Sequence, residues 1–238
     1  MNCRIRTFET NHLSTISKPM AFKSLTISFL CYLCFSRAVL ALRVIGPAQG
    51  SFAKKQIIKD ATALADARLS AMEYALNHAS EACWRAHMEN AFGRYANLNG
   101  IRTVIQQFRN GRYRMEEPES KGLGMGHYDT AQDVVEFGHS FFTSGVEIRA
   151  GAVMHEASHA IARTVDHFTP QGQPVPQGQT PPPGSVLGYV DSKLDVLKAN
   201  PLFGPTIHLN ADSYRLLAHT LATSLSAPLV RRGLEGET

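Results

Sequence analysis

Beyond residue 41 the chain lacks a pair of cysteines. Of its four, Cys3, Cys31 and Cys34 precede that point and only Cys83 follows it. A disulfide scaffold and a cysteine-based zinc cluster are therefore excluded, and the mature body is expected to hold no intrachain disulfide. The body also lacks an excess of either charge. Residues 1–41 carry Arg4, Arg6, Lys18, Lys23 and Arg37 against Glu9, and removing these from totals of 24 basic and 20 acidic residues leaves 19 of each. A body without net charge gives nucleic-acid binding no electrostatic support. The apolar run from Leu25 to Phe35 is too short to span a bilayer but has the length of a signal-peptide core. It follows Lys23 and leads into Ala38-Val39-Leu40-Ala41, which suits cleavage after Ala41. Residues 1–41 thus read as a signal segment, with Met20 an alternative start and an uncleaved anchor the competing reading. The mature protein is expected to be secreted or periplasmic, with no membrane attachment after cleavage.

With 44% apolar residues, the stretch 42–238 has enough material for one core and reads as a single catalytic domain. Apolar residues from Phe52 to about Ser80 (Ile57, Ile58, Ala61, Leu64, Ala65, Leu69, Met72, Ala75 and Leu76) recur at helical spacing. Further helices are expected over Glu81–Phe92 and Ile101–Phe108, with Gly93, Asn99-Gly100 and Asn110-Gly111 as punctuation. Residues 115–126 read as a loop and Val134–Phe137 as a strand. Ser144 with Glu147 predicts a capping box that opens a helix through Arg163. The proline- and glutamine-rich stretch 169–185 is expected as a surface loop, by default a disordered insertion. Helices near Tyr189–Ala199 and Ala211–Ser224 follow, then a frayed tail from Arg231.

The segment His155-Glu156-Ala157-Ser158-His159 carries the chemistry. In a helix, residues i and i+4 project from one face a turn apart, so two imidazoles can reach one tetrahedral ion. Glu156 beside them can accept a proton from water and pass it to a leaving amine. Zinc lowers the pKa of water to about 7 and polarises a scissile carbonyl. The alanine-rich flanks Ala150–Ala152 and Ala160–Ala162 favour the required helix. A third ligand is needed, and two common ones are missing: no glutamate lies between Glu156 and Glu235, and an H-E-x-x-H-x-x-G-x-x-H extension would need glycine and histidine where Ala162 and Val165 stand. Asp166, His167, Asp191, Asp195, His208, Asp212 and His219 remain. Asp166, seven residues past His159, needs only a turn at the helix end.

These residues resemble the aspzincin metallopeptidases, a family that includes deuterolysin and the peptidyl-lysine metallopeptidases. That family follows its H-E-x-x-H helix with G-T-x-D-x-x-Y-G and later carries N-A-D-[ST]-Y. Here Arg163-Thr164-Val165-Asp166 and Asn210-Ala211-Asp212-Ser213-Tyr214 stand in that order, and the likeness extends over roughly residues 80–224. The resemblance implies an α+β, predominantly helical, zincin-like fold and a metalloendopeptidase acting on proteins or peptides. It implies one zinc ion on His155, His159 and Asp166, with Glu156 as general base. Asp212 would line the substrate cleft and favour lysine near the cut, as the matching aspartate does in peptidyl-lysine members. Two departures stand out. Arg163 replaces a family glycine, and Leu187-Gly188 stands where the family has Tyr-Gly, which leaves Tyr189, one step out of register, as the candidate substrate-side oxyanion donor. The alternative reading is a catalytically degenerate relative that serves as a binding protein.

Overall fold

A computed structural model describes residues 43–45, 52–116, 124–190 and 193–234. The proposed signal segment and its cleavage point, Asp191, and residues 235–238 lie outside the described residues. The chain is α+β and mostly helical, and no described helix is long and apolar enough to cross a membrane.

The long amphipathic pattern becomes helix α1 (Phe52–Asn77), which buries Ile58, Ala61, Ala65, Leu69, Met72, Ala75 and Leu76 as its spacing predicts. Helix α2 (Ala82–Phe92) is anchored by Trp84, 2% exposed and edge-on to Tyr74 at 5.3 Å. Cys83 in this helix is half-buried against the core, and residues 42–238 hold no second cysteine. Helix α3 (Leu98–Asn110) begins at Asn97, whose side chain accepts from the amides of Asn99 and Gly100, both at 3.1 Å. Such a cap is worth about 1 kcal/mol.

A mixed sheet stands beside these helices. Its strands β1 (Arg43–Ile45), β2 (Arg112–Glu116), β3 (Gly126–Asp129) and β4 (Val134–Phe137) lie in the order β1-β2-β4-β3. The first three neighbours in that order run parallel, and β3 pairs antiparallel to β4 from the edge. Only β4 is legible from its apolar run. β2 extends into the stretch read as loop, held by pairing on both sides.

Short helix α4 (His139–Thr143) leads to α5 (Val146–Ala162), which carries His155, Glu156 and His159. The predicted capping box does not form. Gly145 is the cap residue, the Ser144 hydroxyl donates to the Ser140 carbonyl at 2.6 Å, and Glu147 pairs with Arg68 of α1. Arg68 is almost wholly buried, so a carboxylate facing it lowers the cost of burying its charge.

The loop 169–185 is structured, not a disordered insertion. A small sheet of β5 (His167–Phe168), β6 (Pro174–Val175) and β7 (Val186–Leu187) forms in the order β6-β5-β7, all antiparallel. Pro174 sits on an edge strand, where its missing N–H costs nothing. Helix α6 (Leu194–Ala199) starts later than expected, and Tyr189 precedes it. Helix α7 (Ala211–Leu234) runs on past Ser224. Helices α1, α5 and α7 pack on one another, and Tyr214 of α7 fills the centre, edge-on to Phe92 at 5.0 Å and Phe108 at 5.6 Å. Each such aromatic pair adds roughly 0.5–1.5 kcal/mol beyond the area it buries.

Candidate metal centre

Helical geometry sets His155 and His159 one turn apart, and their Nε2 atoms come to 3.1 Å. Helix α5 then stops in a left-handed turn at Arg163 (φ 55°), whose amide and that of Thr164 return to the carbonyls of His159 and Ser158. Glycine adopts this conformation freely, whereas a side chain there costs about 1 kcal/mol. Arg163 offsets part of that strain by lying over the Tyr128 ring, 5.6 Å from its centroid, and donating to the Tyr128 hydroxyl. Val165 next bridges to Asn210, through Val165 N–H to the Leu209 carbonyl at 2.7 Å and Ala211 N–H back to Val165 at 3.2 Å. That bridge turns Asp166 toward the helix. One carboxylate oxygen, Oδ1, lies 3.4 Å from His155 Nε2, and the other, Oδ2, lies 3.3 Å from His159 Nε2.

The three donors have the spacing of a metal site. Ligands at 2.0–2.1 Å around a tetrahedral ion stand about 3.3–3.5 Å from one another. The Glu156 carboxylate also comes within 4.8 Å of both imidazoles, so two carboxylates flank the pair, and Asp166 reaches each imidazole with a separate oxygen. The remaining ring nitrogens are committed. His155 Nδ1 donates to Asp212 Oδ1 at 2.8 Å, and His159 Nδ1 donates to the Thr164 carbonyl at 2.8 Å. These bonds select the tautomer whose Nε2 lone pair faces inward on each ring. Two inward lone pairs 3.1 Å apart repel unless a proton or a metal cation lies between them. Asp166 Oδ1 is buried and has no hydrogen-bond partner, as an oxygen reserved for a cation would be. Burial acts to lower the His155 pKa, but its bond to Asp212 and the charges of Asp166, Glu156 and Asp212 raise it, and the same carboxylates favour a metal cation. The residues present therefore fit a metal ion.

Burial pushes the Glu156 carboxyl above its ordinary pKa, with His155 and His159 opposing the shift. Burial also acts to raise Asp166, but the His159 bond and the two imidazole charges outweigh it and hold the carboxyl well below the usual range. The same contest at Asp212 is won by its bond to His155 and the charges of His155 and Arg215. A Cβ on Gly126 of β3 would come within 2.9 Å of Glu156 Cγ, so the sheet edge lies directly against the glutamate.

Asp212 lines a cavity of about 280 Å³ with Met125, Ile148, Ala152, His155, Tyr189 and Arg215. It is not a free acid there. It is 2% exposed, and besides His155 it receives the Val190 amide at 2.7 Å and Arg215 at 2.8 Å. Asp212 thus lines the cavity, as expected, with its charge already shared between His155 and Arg215. The surrounding motif is likewise structural: Asn210 accepts from Ser213 N–H at 2.9 Å to cap α7, and its amide donates to the Gly188 carbonyl at 3.1 Å.

Tyr189 does reach the centre. Its hydroxyl donates to Asp166 Oδ2 at 3.3 Å and its ring stands 5.6 Å from that of His155. Other candidate ligands lie elsewhere: His167 is in β5, Asp195 is solvated and paired with Lys198 at 2.6 Å, His208 packs on Gly100, and His219 is exposed on α7. Sequence reasoning missed Gly126, Gln177 and Arg215. Only Arg215 had a local signal, the i+3 spacing from Asp212 on a helix. Comparison with protein-family models, curated proteins and solved structures gives no match to this chain.

Proposed function

We propose that this centre belongs to a zincin-like endopeptidase of the aspzincin type, exported from the cytoplasm, that hydrolyses proteins or peptides with one zinc ion on His155, His159 and Asp166. The observation that carries the reading is the convergence of His155 Nε2, His159 Nε2 and the Asp166 carboxylate at 3.1–3.4 Å, with no hydrogen-bond partner for Asp166 Oδ1 and a buried, proton-seeking Glu156 alongside. When bound, zinc supplies Lewis acidity, acidifying water to a pKa near 7 and polarising a carbonyl. The residues of the chain do the rest. Glu156, whose pKa burial raises, takes a proton from the attacking water and returns it to the leaving amine. Asp212 and the Thr164 carbonyl hold the two imidazoles in their ligating tautomers. β3 is an antiparallel edge strand with Gly126 against Glu156, so an extended substrate that pairs with it brings its backbone to the glutamate.

Tyr189 is proposed as the oxyanion donor that the departure at Leu187 otherwise removes. Tyr189→Phe is expected to lower kcat by about 10²–10³-fold with KM little changed, the usual cost of one such donor. Near-normal turnover would take Tyr189 out of the mechanism.

The side-chain preference follows from the cavity beside His155. Asp212 is neutralised by Arg215, and Met125, Ile148, Ala152 and Tyr189 make the remaining walls apolar. An uncharged apolar side chain therefore suits the cavity better than lysine. The test is a peptide-library digest read by mass spectrometry. Cuts are expected beside apolar residues, abolished by a chelator and restored by zinc. A profile dominated by lysine would show that Asp212 and Arg215 separate on binding. No cleavage by zinc-loaded protein would favour the second reading, a zinc-holding binding protein, which the Leu187 departure motivates.

A further inference from the structure

The proline- and glutamine-rich loop reads in sequence as a surface insertion, yet its tip enters the metal centre. Gln177 is half-buried, and its Nε2 donates to Asp166 Oδ2 at 2.8 Å. The same nitrogen lies 3.2 Å from both ring nitrogens of His159. Equal distances to the two nitrogens place the amide over the face of the imidazole, out of line with the Nε2 lone pair. That lone pair stays directed at His155 and Asp166. The loop therefore does not plug the centre. It fastens one oxygen of Asp166 and leaves the other, the buried and unpartnered Oδ1, facing His155.

The loop is built to hold that position. Its near end is pinned by the β5–β6 pairing, by Thr169 N–H to the Gln173 carbonyl at 2.8 Å, and by the Thr206 hydroxyl to the Gly172 carbonyl at 2.7 Å. Its tip is a tight turn closed by Gln179 N–H to the Pro176 carbonyl at 3.2 Å. Gln177 takes the second position and Gly178, at φ 82°, takes the third, where a left-handed residue is required. A Cβ on Gly178 would come within 3.0 Å of the Thr130 hydroxyl, so the tip rests against the turn that joins β3 to β4. The loop thus runs from the small sheet across to the edge of the large one, with Gln177 pointing inward on the way.

We infer that the loop 169–185 is an integral wall of the metal centre and that Gln177 is a positioning residue, which locks Asp166 to ligate through a single oxygen. The inference rests on the zinc reading above. Outer-shell partners of metal ligands typically contribute 10–100-fold in metal affinity, and Gln177 is expected to fall in that range.

The experiment is titration of full-length protein with Zn²⁺ against a competing chelator, alongside visible absorption of the Co²⁺-loaded forms. Gln177→Ala and Gln177→Met are each expected to weaken zinc binding about 10–100-fold. The Co²⁺ bands should weaken as the released carboxylate swings to bind through both oxygens. Methionine keeps the bulk over His159 but cannot donate, so wild-type affinity and spectrum in Gln177→Met would overturn the clamp and leave packing alone. Thermal unfolding of the metal-free variants should match wild type, and a large drop there would make Gln177 a folding residue and refute the assignment. If wild type itself binds neither ion, the zinc reading fails and this inference fails with it. If wild type binds zinc and both variants match it, only this inference fails.

Discussion

Glu156→Gln is expected to lower peptide hydrolysis by about 10²–10⁴-fold while one zinc ion stays bound. The substitution keeps the size of the side chain and removes its basicity. It separates two assignments that lie close together in space. If Glu156 is the base and Asp166 the third ligand, activity is lost and metal is kept. If Glu156, within 4.8 Å of both imidazoles, is instead the ligand, metal is lost as well. The 3.3–3.4 Å spacing of Asp166 from the two imidazoles and its unpartnered oxygen predict the first result. Paired assays of turnover and bound metal on one preparation give the answer.

The second large effect belongs to Asp212. Its replacement by asparagine removes the charge that His155 Nδ1 and Arg215 share and lets the side chain present its amide nitrogen to the ring. The imidazole then loses its fixed tautomer and much of its basicity toward a metal. Zinc affinity is expected to fall about 10–100-fold, with activity following it at limiting zinc. An Asp212 that served only to attract lysine would behave otherwise: the asparagine variant would bind zinc like wild type and lose only its discrimination among substrates. Chelator competition distinguishes the two without any substrate. The depressed pKa of Asp212 gives the sign of the pH dependence. The carboxylate keeps its charge, and its hold on His155, well into acid, and the interaction is lost as pH falls through that lowered pKa.

The helices of this protein are legible because their apolar residues recur at 3.6-residue spacing and their ends are punctuated. The residues predicted for α1 are largely those it buries. β2 and β3 escape such reading: Gly126-His127-Tyr128-Asp129 has a single apolar residue, and only its pairing to β4 makes it a strand. β5, β6 and β7 are two residues each, too short for any period. The capping box failed for a tertiary reason, because buried Arg68 from a distant helix claims Glu147. The centre divides along the same line. His155, Glu156 and His159 are local and could be read directly, and Asp166 needed only a short turn. The pairing of His155 with Asp212 across 57 residues, and of Asp166 with Gln177 out of a proline-rich loop, exists only in the folded chain. Arg163, a side chain at a left-handed turn where glycine sits most easily, is held there by its bracing on Tyr128.

Metal stoichiometry tests the central claim most directly. Wild-type protein dialysed against trace zinc should retain one zinc per chain, and Asp166→Ala prepared in parallel should retain little. Wild type that binds no divalent ion, or an Asp166→Ala variant that binds one as tightly, would contradict the account.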